Sequence, residues 1–214
     1  SHTDPKKSIV LAIDQGTTGT TALLVNSNLK VLATKNVEYR QIFPKPGWVE
    51  HNLEDIWQST LKAIAGVVTK ETAKRICAIG ITNQRETACF WSKRTGKPLA
   101  NAIVWQDRRT ADYCNALQES GKEELVQKRT GLLLDPYFSG SKIRWMLKHN
   151  EKVKGSAHFK DCAFGTIDTY LVHKLTGGKN HLTEPSNASR TSLFNLQSLS
   201  WDSEMLALFE VPSH

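Results

Sequence analysis

The sequence predicts an α/β domain with a mixed sheet flanked by helices. Three features carry this reading. Short apolar runs separated by polar turns open the chain, a long segment with apolar residues at helical spacing follows, and helical patterns dominate the second half. Three consecutive strands at the start do not fit the alternating strand and helix order of an ordinary dinucleotide fold.

The elements follow in order. Residues 9–13 are an apolar run of strand length that stops at Asp14, and Gln15-Gly16-Thr17-Thr18-Gly19-Thr20-Thr21 separates it from a second run at 22–25. Asn26-Ser27-Asn28 turns the chain into a third strand at 31–37, which makes an antiparallel meander. After the loop Pro44-Lys45-Pro46-Gly47, a helix is predicted over 53–69, with Ile56, Trp57, Thr60, Leu61, Ile64 and Val67 or Val68 on one stripe and Asn52 as N-cap. Residues 76–82 read as a buried strand and 87–91 as its hairpin partner, closed beyond by the turn Thr95-Gly96-Lys97-Pro98. Helices are predicted over 110–118, 122–129, 139–149 and 167–175, with Ser139 capping the third of these.

Composition bounds the function. A chain of 214 residues with 39% hydrophobic and 23% charged residues can bury one large core, and it shows no repeat or low-complexity tract. No apolar run approaches the roughly 20 residues of a membrane span and no signal peptide is visible, so a cytoplasmic protein is expected. Residues 1–8 are polar and basic, lack an initiator Met, and read as a tag scar and polar tail. Cys77, Cys89, Cys114 and Cys162 are scattered without metal-ligand spacing and are expected to be reduced structural residues. The formal charge of +7 suits an anionic partner. Its basic residues are interspersed with acidic ones, and Lys6-Lys7 and Arg108-Arg109 are too short to track a nucleic acid, so a solvated surface or a small phosphorylated ligand is expected and nucleic acid is not.

Four places carry candidate chemistry. Asp14 ends a strand and can face a metal ion, Gly16 and Gly19 let the backbone approach a ligand, and Thr17 and Thr18 add hydroxyls. That turn suits the terminal phosphates of a nucleotide and their Mg²⁺; a plain hairpin turn is the alternative. In Asn83-Gln84-Arg85-Glu86, Arg85 donates a planar fork and Glu86 accepts, which together can hold a hydroxyl or diol, unless the segment is a tight turn with both charges in solvent. Trp105 ends an apolar run before a strongly polar stretch, where an indole face can cover the carbon edge of a polyol or belong to the core. Tyr137, in the loop Leu134-Asp135-Pro136-Tyr137-Phe138, offers a phenol tip or a half-buried packing surface.

Taken together, Asp14-Gln15-Gly16-Thr17-Thr18, the segment from Pro44 to His51, Gly80-Ile81-Thr82-Asn83-Gln84-Arg85-Glu86-Thr87, Ile103 to Arg109, and Asp135 to Lys142 resemble the FGGY carbohydrate kinase family, and within it the branch that phosphorylates glycerol. Tyr137 to His149, Gly165 to Leu171, and Asn187-Ala188-Ser189-Arg190-Thr191 resemble further segments of the same domain, so the likeness runs from about Ile9 to the end. The resemblance implies an actin-like ATPase, ribonuclease H-like fold, with ATP and glycerol as partners, Mg²⁺ as cofactor, and glycerol 3-phosphate and ADP as products. By the same resemblance Arg85, Glu86 and Tyr137 hydrogen-bond the glycerol hydroxyls and Trp105 packs on its carbons. Asp14 organises the Mg²⁺, and Gly16, Thr17, Thr18 and Gly19 lie at the phosphates. Such a site works by positioning and charge neutralisation, so few residues do covalent chemistry.

The sequence departs from the family in two respects. Gly19-Thr20-Thr21 stands where the family has Ser-Ser-Arg or Ser-Thr-Arg, which removes an arginine that reaches the nucleotide phosphates. The family is also much longer, taking its general base and adenine pocket from later residues, while Asp107, Asp135 and Asp168 read here as turn, cap or surface residues. The expectation is therefore an incomplete N-terminal kinase domain over 9–214, with the C-terminal domain absent and the general base beyond His214. Such a fragment is expected to be inactive alone, and the full-length protein to be a homo-oligomer. The alternative is a non-enzymatic polyol-binding or regulatory module.

Overall fold

The computed structural model describes Ser8 to Ser213, so all but Ser8 of the tag scar and tail assigned to residues 1–8 lies outside the described residues. The chain divides into two compact units, one of Ser1–Gln41 and Glu54–Gln84, the other of Ile42–Leu53 and Arg85–His214.

In the first unit, β1 (Ile9–Gln15), β2 (Gly19–Asn26) and β3 (Val31–Glu38) form the expected antiparallel meander. After the two-residue strand β4 (Glu50–His51), which belongs to the second unit, come α1 (Leu53–Ala65), the single turn α2 (Lys70–Ala73) and β5 (Ile76–Asn83). The sheet order is β3-β2-β1-β5, with β5 parallel to β1, so the sheet is mixed as expected. Period-two alternation explains β1: Ile9, Leu11, Ile13 and Gln15 are buried while Val10 and Asp14 are exposed. On the inner face Thr20 and Ser59 of α1 share a buried hydrogen bond of 2.8 Å.

Two sequence expectations fail in this unit. The helix ends at Ala65, not Thr69, because Gly66 and the β-branched pair Val67 and Val68 are poor helix formers; the Val67 and Val68 amides both turn back to the Ile64 carbonyl, and Val67 is buried from outside the helix. Residues 76–83 do form a strand, but it is largely exposed, with Ile79 at 49%, because it lies at the sheet edge and pairs only with β1 among the described residues.

The second unit adds β6 (Cys89–Ser92), β7 (Ala102–Ile103), α3 (Ala111–Glu119), α4 (Glu123–Thr130), α5 (Ser139–His149) and α6 (Glu151–His158). Beyond these lie β8 (Cys162–Gly165), α7 (Ile167–Leu175), the turn α8 (Pro185–Ala188), the short pair β9 (Phe194–Asn195) and β10 (Ser200–Trp201), and α9 (Ser203–Leu208). The expected hairpin of 76–82 with 87–91 does not exist: β6 pairs antiparallel with β8 instead, in a different sheet. The four predicted helices are present as α3, α4, α5 and α7. Helices α3, α4 and α5 pack with α6 and α9 on one core that includes Phe90, Ile103, Val126, Ile143, Met146, Val153, Met205 and Phe209. Ser139 does not cap α5; Phe138 holds the N-cap position, and the Ser139 hydroxyl donates to the Glu86 carbonyl at 2.9 Å.

All four cysteines are free. Burial raises the thiol pKa of Cys89, Cys114 and Cys162, the last to about 11, which leaves them as inert packing residues. Among the described residues no helix is long and apolar enough to cross a membrane.

Candidate functional site

The first unit supplies the turn after Asp14. Its geometry is fixed at both ends: the Gly16 amide donates to the Gly19 carbonyl at 2.9 Å, which closes the turn and uses the Gly16 N–H internally. Gly19 packs closely on β3, where a Cβ would sit 3.0 Å from the Val37 carbonyl oxygen. The carbonyls of Gly16 and Thr17 are held from one side. The Tyr39 hydroxyl lies against both, Gln41 Nε2 donates to Thr17 O at 2.9 Å, and Gln15 Nε2 donates to Gly16 O at 2.9 Å. Gln84 Nε2 joins this cluster, 3.0 Å from the Tyr39 hydroxyl and 3.3 Å from Gly16 O. In a planar trans peptide the N–H points opposite the C=O, so the amides of Thr17 and Thr18 face away from this cluster. That is the arrangement a phosphate needs from a turn.

Asp14 stands beside the turn. Its carboxylate is exposed and takes no hydrogen bond from a described residue, and in register it lies opposite Thr21 on β2 and Thr82 on β5. Thr21 accepts from Asn36 Nδ2 at 2.8 Å, which makes a neutral pair at this position. Among the described residues no cluster of three or more His, Cys, Asp or Glu side chains is arranged to hold a metal ion. A single carboxylate suits Mg²⁺ that arrives with a nucleotide and keeps its waters, since that ion needs only one or two protein oxygens.

The second unit brings Glu86, Trp105 and Tyr137 together, with Arg85 next in sequence to Glu86. Glu86 has a positive φ of 65°, a left-handed conformation that aims its side chain inward. Its carboxylate is 3% exposed and Oε1 accepts from Arg190 Nε at 2.6 Å. Oε2 accepts no hydrogen bond from a described residue. The Arg190 guanidinium also lies over the Phe138 and Tyr137 rings, 4.9 and 5.6 Å from their centroids. Burial lowers the Arg190 pKa, but the hydrogen bond and charge of Glu86, with a further contribution from Tyr137, outweigh it and raise it above the ordinary arginine value. Trp105 packs edge-on against Tyr137 with centroids 5.7 Å apart, and its backbone amide donates to Thr87 Oγ1 at 3.3 Å. An open cleft of about 580 Å³ lies along Trp105, Arg108, Leu133, Asp135, Tyr137 and Phe138. The Arg85 side chain is exposed and makes no hydrogen bond or ion pair with a described residue.

The loop that carries Tyr137 is held from below. Asp135 Oδ1 accepts from the Tyr137 amide at 2.7 Å and from Arg108 at 3.2 Å. Lys142 is fully buried, and its Nζ donates to the carbonyls of Pro136, Tyr137 and Phe138, at 2.7 Å for Tyr137 and 3.1 Å for Phe138. Burial lowers its pKa to about 7, against the opposing charges of Asp107, Glu86 and Asp135. The other carboxylates nearby are committed elsewhere. Asp107 is buried, bonded to the Val49 amide at 2.7 Å and to Arg109, whose guanidinium stacks on Trp48 at 3.7 Å. Asp168 accepts from Thr166 and, at 2.7 Å, from Thr183.

The sequence reading missed Tyr39, Gln41, Lys142 and Arg190 as supporting residues. Lys142 and Arg190 do fall inside segments it singled out; Tyr39 and Gln41 carry no sequence signal, since their work depends on chain folding back onto the turn.

The domain model for the N-terminal domain of the FGGY family of carbohydrate kinases matches residues 9–214. Glycerol kinase from Janthinobacterium sp. (strain Marseille) is 54% identical over 207 residues, covering 95% of this chain and 41% of that protein. Glycerol kinase from Halalkalibacterium halodurans is 51% identical over 208 residues, covering 96% and 42%. A crystal structure of Plasmodium falciparum glycerol kinase with ADP aligns with a TM-score of 0.87 and 34% identity over 95% of this chain and 41% of that one. This likeness bears out the actin-like, ribonuclease H-like fold class. The chain spans about two fifths of the length of the relatives it matches.

Proposed function

Because this chain belongs to the FGGY family of carbohydrate kinases, we propose that the whole protein transfers the terminal phosphoryl group of Mg-ATP to glycerol, giving glycerol 3-phosphate and ADP. One observation carries the choice of a small polyol: a nearly buried carboxylate, Glu86, is held through Oε1 by Arg190, whose guanidinium lies over the Tyr137 ring that packs on Trp105, and the exposed Arg85 is next in sequence. A polyol hydroxyl both donates and accepts, so Glu86 takes its proton side and Arg85 its lone pairs, while Trp105 covers the carbon edge. The Tyr137 phenol adds a further polar contact. The names of the relatives support glycerol in particular.

The turn of Gly16 to Gly19 is the phosphate cradle in this reading, with the Thr17 and Thr18 amides and hydroxyls as donors and Gly16 as the residue that closes the turn. Asp14 holds the Mg²⁺, which on binding screens phosphate charge. As the family resemblance implies, the general base that takes the glycerol proton comes from a part of the protein outside this chain, and the chain alone is inactive; Asp107 and Asp135 near the site are bonded to the Val49 and Tyr137 amides. The protein's contribution is positioning and charge neutralisation. The test is product analysis after incubating the whole protein with Mg-ATP and glycerol. Formation of glycerol 3-phosphate with equimolar ADP is expected; ADP formed only with a five- or six-carbon substrate would overturn the glycerol reading.

A further inference from the structure

We propose that Arg190 is a positioning residue that fixes the Glu86 carboxylate for one hydroxyl of the polyol and thereby sets the preference for a triol over diols; this rests on the glycerol reading above. The segment Asn187 to Thr191 otherwise has no assigned part in the chemistry. Its backbone is held at several points. Glu184 caps α8 through the Ser186 and Asn187 amides, both at 2.8 Å, and also takes the Ser186 hydroxyl at 2.6 Å and Asn187 Nδ2 at 2.7 Å. The Arg190 amide donates to Asn187 O at 3.0 Å, and its carbonyl accepts from the Ser139 amide at 3.5 Å. The guanidinium therefore starts from a fixed point.

From there it reaches two substrate-facing groups that arrive on separate loops. It binds Glu86 Oε1 at 2.6 Å and spreads over the Tyr137 and Phe138 rings. A glutamate's terminal torsion is soft, so a carboxylate with one free oxygen would rotate without a partner on the other. Engaging Oε1 leaves Oε2 as an acceptor of defined direction. The same contact supplies the counter-charge that a carboxylate only 3% exposed requires. Arg190 itself is 26% exposed at its side chain, so the pair sits at the wall of an open site and not deep in the core.

The experiment uses the whole protein and the variants Arg190→Gln and Arg190→Lys. It measures KM and kcat for glycerol, the inhibition constants of 1,2-propanediol and 1,3-propanediol, and Tm. One of the two diols lacks the hydroxyl that Glu86 accepts. The expected result for Arg190→Gln is a glycerol KM raised roughly tenfold or more, the loss of a charged hydrogen bond. The inhibition constant of the diol lacking that hydroxyl should stay within about twofold, and Arg190→Lys should recover part of the loss. If Arg190→Gln does not fold, Arg190→Lys is read by the same criteria. An unchanged glycerol KM would overturn the proposal, as would equal weakening for glycerol and both diols with a lowered Tm, the mark of a merely structural residue. A wild-type protein inert toward glycerol would overturn the glycerol reading and this proposal with it; an active wild type with indifferent variants would overturn this proposal alone.

Discussion

Replacing Arg85 by alanine separates binding from folding more cleanly than any other change in the site. The side chain is exposed and bonds to no described residue, while the backbone carbonyl accepts from the Thr87 amide at 2.8 Å, a bond that survives the substitution. Stability should therefore stay within about 0.5 kcal/mol, the range for surface positions without special contacts. For a chain of this length that is a Tm change of no more than about 2 °C. In the proposed complex the same guanidinium donates a charged hydrogen bond to a glycerol hydroxyl, worth about 1.5–3 kcal/mol, which converts to a ten- to 150-fold loss in kcat/KM. Steady-state kinetics of the whole protein and a thermal melt of this chain read the two quantities independently. Unchanged kinetics would remove Arg85 from the site. A melt lowered by more than a few degrees would show that the kinetic loss came from folding.

Other changes should follow the same logic. Asp14→Ala should abolish Mg-ATP-dependent turnover of the whole protein yet leave glycerol binding and Tm nearly intact, because the carboxylate is exposed and unbonded; loss of glycerol binding, read by calorimetry, would assign Asp14 to folding. Lys142→Met strands three carbonyls of the Pro136 to Phe138 loop and should cost about 1–3 kcal/mol net, after relief of the buried charge, in urea denaturation, together with a raised glycerol KM. His51 gives a pH signature. Burial lowers its pKa to about 4 from 6.5, so the unfolded chain takes up the proton first. Its contribution is complete above pH 6.5 and is lost as the pH falls toward 4, at most about 3 kcal/mol at 1.36 kcal/mol per unit. His51→Phe should flatten that part of the urea stability profile between pH 7 and 4.5, and an unaltered slope would assign it to other groups.

Local chemistry was legible in the sequence where the pattern itself is local. The apolar run from Ile9 to Ile13, stopped at Asp14, marks β1, and the Gly16 and Gly19 spacing marks the turn. Helices α5 and α7 were read to the residue because their apolar positions recur over several turns. Pairing across long separations was not legible. Nothing in residues 87–91 points to a partner at Cys162–Gly165, a strand too short to show a period of its own. The edge position of β5 was hidden for a related reason, since an apolar run looks buried whether or not a second neighbour covers it. In α6 only Val153 is buried, too little for a periodic signal. Lys142 shows the limit most clearly: a lysine in a helix reads as solvated, and only the loop folded over it reveals three carbonyls awaiting an ammonium. Of the candidate site, Glu86 and Tyr137 were named from their motifs, while Arg190, which links them, was visible only as part of a motif without a role.

The most direct test of the central claim is ADP release from Mg-ATP, with and without glycerol, measured side by side for the whole protein and for this chain of 214 residues. The account predicts glycerol-dependent ADP from the whole protein and none from the chain alone. Glycerol-dependent turnover by the chain would contradict it, since a general base would then lie among these residues, and a whole protein indifferent to glycerol would contradict the assignment of the polyol site itself.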